Sequence, residues 1–254
     1  MRMALAAMAL AILAQTPTVD AFLKTFAEKR AHVEKLEAAF TQDTVTPDET
    51  TLANGRIVYE RPRRILLHYF DPEVVYLVDG TRVYQYNAEI EQVQIYDLES
   101  DPQMEALFLG FDEDTARLRE AYTLGVFDAM NSCGTKGLRL IPLEVRKDKP
   151  EAEADEEVSG LFQEVELFLR EEDYLPCRIH VVNDAESSVE IRVDRIKINT
   201  DAGEATAQIE VPEGTSIIEN EVLVEKVGPG GKRIPERATQ GTSTPPQPGE
   251  APAP

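Results

Sequence analysis

The order of hydrophobic and polar positions predicts one helix followed by a series of antiparallel strands. Phe22, Leu23 and Phe26 share one side of residues 19–30 and Lys24 and Glu28 the other, as in an amphipathic helix. From residue 36 the apolar period becomes two, the period of a strand with one buried face. This pattern predicts strands over residues 36–42, 55–60, 64–70, 73–78, 82–86, 121–127, 137–145, 160–170, 177–183, 188–199 and 205–211.

The connections between these segments indicate an antiparallel meander. Tight turns such as Asp71-Pro72 and Asp79-Gly80 join consecutive strands without intervening helices. Residues 98–120 have a helical pattern instead and predict two short helices that lie over the sheet. Their apolar side chains group on one side at Met104, Leu107, Phe108 and Phe111. The predicted fold class is therefore mainly β with short helices, an α+β arrangement.

Both ends of the chain differ from the predicted domain. Residues 1–14 combine a basic start with an apolar run of signal-peptide length, which predicts cleavage after Ala14; a buried N-terminal helix is the alternative. No later segment approaches membrane-spanning length, so we expect an exported, soluble protein. The domain is expected over 15–222, with a charged loop at 146–157 and a disordered, Pro- and Gly-rich tail over 223–254.

Composition and motifs argue against several functions. A net charge of -21 disfavours nucleic-acid binding, which requires clustered Lys and Arg. The three histidines are scattered and no nucleophile motif occurs, so we expect no metal site, no cofactor and no enzymatic activity. Carboxylates are so numerous that a paired-acid site cannot be recognised by pattern, so a hydrolase stays as a further alternative. Cys133 and Cys177 form either a disulfide, as an exported protein allows, or two separate buried thiols.

Several motifs in the first half of the chain occur in a characteristic order. They are GRIVYERP (55–62), ILLHYFDP (65–72), YLVDG (76–80) and VYQYN (83–87), preceded by LEAAFTQ (36–42). In this order the chain resembles the outer-membrane lipoprotein carrier family, the LolA type, over residues 19–218. The match is strongest in the first half, and VPEGT (211–215) resembles the family's closing segment.

The resemblance implies a fold and a function. The fold is an incomplete, strongly curved antiparallel β-barrel whose short helices form a lid over an apolar cavity. The function is a monomeric periplasmic carrier that binds the acyl chains of lipoproteins and shuttles them from the inner to the outer membrane. Its implied partners are an inner-membrane lipoprotein-releasing complex and an outer-membrane acceptor. The alternative is a lipid-sensing or lipid-binding envelope regulator of the same fold that binds a partner protein.

The resemblance also assigns candidate site residues. Arg61 matches the family arginine that holds the lid helices shut through their backbone carbonyls; the alternative is that it only caps a strand end. For the cavity lining, simple core packing is the alternative at every position, and alternation does not show which strand face is inside. The expected lining residues are Leu36, Ala38, Phe40, Ile57, Tyr59, Ile65, Leu67, Tyr69, Val83, Met104, Leu107, Phe108 and Phe111. Leu67 stands where the family commonly has an aromatic residue, and the chain contains no Trp.

Overall fold

The computed structural model describes residues 18–98, 104, 111, 115–129, 133–143, 162–199 and 207–235. Helix α1 covers Val19–Arg30, as the pattern predicts, and Thr18 caps its first turn by accepting a hydrogen bond from the Ala21 N–H at 3.3 Å. A second helix, α2, covers Thr115–Ala121. No helix in the described ranges is long and apolar enough to cross a membrane.

Fifteen strands are present in the described residues. Along the first half they are β1 (Lys35–Val45), β2 (Thr50–Glu60), β3 (Arg64–Phe70), β4 (Glu73–Asp79), β5 (Arg82–Asn87) and β6 (Gln92–Asp97). The second half contributes β7 (Tyr122–Asp128), β8 (Lys136–Pro142), β9 (Glu164–Leu169), β10 (Pro176–Val182) and β11 (Ser188–Ile198). The last strands are β12 (Ile209–Val211), β13 (Ser216–Glu219), β14 (Val222–Lys226) and β15 (Lys232–Ile234).

Thirteen of these strands form one large, curved, open sheet. Their order is β14-β13-β6-β5-β4-β3-β2-β1-β11-β10-β9-β8-β7, while β12 and β15 form a separate two-stranded sheet. Neighbours in the large sheet are antiparallel except β13, which pairs parallel to β6. The end strands β14 and β7 do not pair with each other, so the sheet is not closed. The predicted fold class, mainly β with an incomplete, curved barrel, is confirmed.

The two faces of the sheet pack against different partners. One face, which we call the inner face, belongs to a single hydrophobic cluster that joins strands as distant in the sheet order as β5 and β8 and includes α1. Such distant strands meet only on the concave side of a curved sheet. The opposite, outer face of β2–β6 packs instead against residues 207–235, through side chains such as Ala207, Ile209 and Ile234.

A row of alternating charges marks one end of strands β1–β6. The paired positions are Lys35, Glu60, Arg64, Asp79, Arg82 and Asp97, in that order across the sheet. Arg64 lies 3.1 Å from Asp79 and 3.9 Å from Glu60. Opposite charges placed directly across neighbouring strands favour this register over a shifted one.

Three expectations about the elements need correction. The first hairpin extends to Val45 and Thr50, well beyond the predicted strand ends at 42 and 55, and β6 follows the turn after β5. The tail expected from residue 223 is wrong in its first part, because β14 and β15 lie there. Leu223 and Val224 are exposed, whereas Val227 and Ile234 are buried against the outer face. Residues 1–17 and 236–254 lie outside the described part, as does the predicted loop at 146–157.

Candidate functional site

The predicted lining residues lie together on the inner face. Ten of them belong to the inner-face cluster and are no more than 5% exposed: Leu36, Ala38, Phe40, Ile57, Tyr59, Ile65, Leu67, Val83, Met104 and Phe111. Tyr69 is half-buried and packs against the same cluster. Leu107 and Phe108 lie outside the described residues. The strand pairing thus shows which face is inside, whereas the role of these residues in ligand binding stays a prediction.

Side chains from outside the sheet cover this face. Phe22 and Phe26 of α1 are buried in the cluster, together with Met104 and Phe111 of the predicted lid segment. Phe22 stacks on Tyr174, which follows β9, with 5.3 Å between ring centroids. The space against the inner face is therefore occupied by the protein's own apolar side chains.

Three aromatic rings cross the middle of the inner face. Phe40 meets Tyr69 edge to face at 5.0 Å between centroids, and Tyr69 meets Tyr76 in the same way at 5.9 Å. Gly55 makes room for the first ring, because a Cβ atom there would lie 2.7 Å from Phe40 and 2.1 Å from the His68 carbonyl oxygen. Glycine at 55 is therefore required by the close packing of β1, β2 and β3.

Two of these rings, Tyr69 and Tyr76, also form hydrogen bonds with polar side chains on the same face. The Tyr69 hydroxyl donates to Gln42 Oε1 at 2.7 Å, and Gln42 Nε2 donates to Thr44 Oγ1 at 3.0 Å. Gln85 Nε2 donates to the Tyr76 hydroxyl at 3.2 Å. All five side chains are half-buried and none is charged.

Arg61 holds the C-terminal end of α1. Its two terminal nitrogens donate to the carbonyl oxygens of Arg30 and Ala31, each at 3.0 Å. One of them also lies 3.4 Å from Glu34 Oε1. The carbonyls at a helix end have no partner within the helix, and a nearby cation also interacts favourably with the helix dipole. Arg61 therefore fastens α1 to the end of β2; its predicted role as a gate stays a prediction.

Arg30 is a buried cation that the sequence reasoning missed. Its side chain, 3% exposed, donates to the Tyr174 carbonyl at 3.0 Å and to the Phe111 carbonyl at 3.3 Å, and lies over the Phe26 ring. It thus connects α1, the predicted lid segment and the turn after β9. An Arg in the last turn of an amphipathic helix is usually solvated, so only the tertiary contacts reveal this position.

The two cysteines are joined. Cys133, ahead of β8, and Cys177, on β10, form a disulfide with 6.0 Å between their Cα atoms. The bond closes a segment of 44 residues that includes β8 and β9. Within the described residues, no group of three or more His, Cys, Asp or Glu side chains is placed to hold a metal ion.

Charged groups concentrate on the outer face. Burial would raise the pKa of Glu166, but hydrogen bonds and charge attraction from Arg139 outweigh it, with a smaller contribution from His180, so this pKa is lowered. Glu190 behaves in the same way between Arg192 and Arg178. Burial lowers the pKa of His68, and the positive charge of Arg56 adds to that effect, against the opposing influence of Glu73.

Comparison with known sequences identifies the family. The family model described as "Outer membrane lipoprotein carrier protein LolA" matches residues 31–206. This match includes β1 to β11 and ends just before the segment that packs on the outer face. No match to a curated protein was found.

Several solved structures are similar at low sequence identity. An uncharacterized conserved protein from Thermus thermophilus is 11% identical, with a TM-score of 0.48, over 80% of this chain and 99% of that one. A putative outer membrane lipoprotein-sorting protein domain from Vibrio parahaemolyticus is 12% identical, with a TM-score of 0.39, over 72% and 94%. In the Pseudomonas aeruginosa MucA/MucB complex, the matched chain is 14% identical, with a TM-score of 0.42, over 74% and 60%. All three TM-scores are below 0.5, so the family assignment comes from the sequence match.

Proposed function

Because the chain belongs to the LolA family of outer membrane lipoprotein carrier proteins, we propose that it is an exported periplasmic carrier of lipoproteins. It binds their acyl chains against the inner face and shuttles them from the inner to the outer membrane. One observation carries this proposal: the inner-face cluster unites both halves of the curved sheet with α1 and the lid residues Met104 and Phe111.

The energetics of acyl transport require such a cluster. Each methylene removed from water contributes about 0.8 kcal/mol, so a chain with ten sheltered methylenes gains roughly 8 kcal/mol. A carrier with a permanently open cavity would release this cargo too slowly. Its own apolar side chains therefore compete for the same surface, and Phe22, Phe26, Met104 and Phe111 are placed to do so.

Arg61 and Arg30 stabilise the closed state in this proposal. Arg61 fixes the C-terminal carbonyls of α1, and Arg30, whose carbonyl is one of them, reaches the Phe111 carbonyl with its side chain. Moving α1 or the lid segment away from the inner face breaks these bonds. The gating function that the resemblance assigns to Arg61 thus acts on α1 directly and on the lid segment through Arg30.

Two membrane-bound partners complete the cycle: an inner-membrane complex that releases lipoproteins and an outer-membrane acceptor. A net charge of -21 reduces adhesion of the carrier to anionic lipid surfaces during transit. The carrier is a monomer without a cofactor, and it catalyses no reaction.

Transfer between membranes tests the function directly. The purified protein is incubated with inner-membrane vesicles that contain a triacylated lipoprotein and the releasing complex, and soluble complexes are recovered by gel filtration. The proposal predicts a soluble equimolar complex that passes its cargo to outer-membrane vesicles. A protein that forms no such complex, and instead captures a membrane-bound anti-sigma factor stably, is a regulator of the same fold rather than a carrier.

A further inference from the structure

The inner face of β1–β6 carries no charged residue, in a chain of which 29% of residues are charged. The strand pairings place positions 36, 38, 40, 42 and 44 of β1 on this face, and the partners of those positions continue it through β2 to β6. Every Asp, Glu, Lys and Arg of these six strands lies at an alternate, outer-face position. The inner face is therefore neutral across β1–β6.

This neutral face has an apolar end and a polar end. Near α1 and Arg61 it presents Leu36, Ile65 and Val78, which are no more than 2% exposed. Gln42 lies six residues along β1 from Leu36, roughly 20 Å away at about 3.3 Å per strand residue. The four side chains Gln42, Tyr69, Tyr76 and Gln85, which we call the amide-phenol strip, run from that polar end back across the middle of the face, where Tyr76 and Gln85 are paired on β4 and β5.

The strip has hydrogen-bonding capacity left for a ligand. Gln85 uses one N–H toward Tyr76, and the described residues offer no partner to its other N–H or its carbonyl oxygen. Gln42 uses one N–H and its carbonyl oxygen, which leaves one N–H. Both side chains are half-buried, so a ligand that covers them must replace the water it displaces with its own polar groups.

From this arrangement we propose that the amide-phenol strip is a subsite for the uncharged ester and amide groups that adjoin the acyl chains of the cargo. It discriminates against lipids with an anionic phosphate head group. Amide and phenol groups donate to and accept from esters and amides, which are neutral and cost little to desolvate once hydrogen-bonded. A phosphate at the same place would be desolvated without a cation on the inner face of β1–β6 to compensate it.

This inference rests on the proposed carrier function and adds a head-group preference to it. Two matched probes test it: monopalmitoylglycerol, which is neutral, and its 3-phosphate, which has the same chain and an anionic head. Binding to the purified chain is measured by displacement of N-phenyl-1-naphthylamine, an apolar fluorescent dye that reports on the hydrocarbon site. We expect the neutral probe to bind at least about tenfold more tightly than the phosphate probe. This is the change in affinity that one or two net hydrogen bonds produce.

A charge introduced into the strip supplies the second readout. Gln85→Lys should tighten binding of the phosphate probe by about tenfold and weaken that of the neutral probe. Asn54→Lys adds the same charge to an exposed, outer-face position of β2 and should change neither affinity. Equal affinities of the unmodified chain for both probes, or a Gln85→Lys effect no larger than that of Asn54→Lys, would overturn the inference. A chain that binds neither the dye nor either probe would instead contradict the carrier function itself.

Discussion

Replacing Arg61 by leucine removes the contacts that, in the proposed gating mechanism, hold α1 in a closed state. Two charge-assisted hydrogen bonds of 3.0 Å are lost. Such bonds contribute about 1.5 to 3 kcal/mol each, and the lower value applies because the Arg61 side chain is 24% exposed and water replaces part of the loss. The closed state is then destabilised by about 3 kcal/mol, which changes the ratio of closed to open forms by roughly 100-fold.

The population shift makes Arg61→Leu bind more tightly and release more slowly. Apparent affinity is reduced by the fraction of molecules that are competent to bind, so opening the carrier raises affinity for an acyl probe by up to about 100-fold. A fluorescent fatty acid gives the affinity, and stopped-flow transfer to lipid vesicles gives the release rate. Arg56→Leu is the matched control, because Arg56 is an exposed, outer-face residue of β2, the strand that Arg61 directly follows. Arg56→Leu should release the probe as fast as the unmodified chain. If Arg61→Leu releases it equally fast, the gating proposal is refuted.

Three further predictions concern stability. Gly55→Ala should cost about 1 to 3 kcal/mol in urea unfolding, because the new methyl group meets the His68 carbonyl and the Phe40 ring; an unchanged midpoint contradicts that packing. Leu77→Ala, at a fully buried outer-face position, should cost about 2 to 5 kcal/mol without changing acyl-probe affinity; altered affinity would show that the two faces are coupled. Because the pKa of His68 is lowered in the folded chain, the unfolded chain protonates His68 at a higher pH than the folded chain does. Stability should therefore fall as the pH drops through 6.5 and level off below the native pKa, and His68→Gln should lessen this fall in urea midpoints measured between pH 7.5 and 5.

The strands whose bounds the sequence predicts best are short apolar runs that end at turn residues. In β3, Ile65 and Leu67 face one cluster and Leu66 the other, so the strand is hydrophobic on both faces and bounded by turns. The outer part of the first hairpin has mostly polar residues on both faces, and its strand character comes from pairing rather than burial. The inner face could not be deduced from one strand, because both faces of β3 and β4 are apolar.

The candidate site could be predicted in composition but not in its connections. Alternation and family resemblance agree on the predicted lining residues, and those in the described part of the chain lie in or against the inner-face cluster. Arg30 was missed because its partners, the carbonyls of Tyr174 and Phe111, are 144 and 81 residues away in the chain. The sequence predicts a tail over residues 223–235 because Gly and Pro are frequent there and regular apolar spacing is absent. Val227 and Ile234 pack there against a patch on β2–β6 that local sequence does not reveal.

Crosslinking from two adjacent residues tests most directly whether the inner face receives acyl chains. Leu66 and Leu67 are both buried, at 1% and 3% exposure, but Leu67 lies in the inner-face cluster and Leu66 in the outer one. A photoreactive amino acid is placed at each position in turn, cells are irradiated, and adducts are identified by mass spectrometry. The account predicts acylated lipoprotein adducts from position 67 and none from position 66. Equal adducts from both positions, or acylated adducts from position 66 alone, would contradict it.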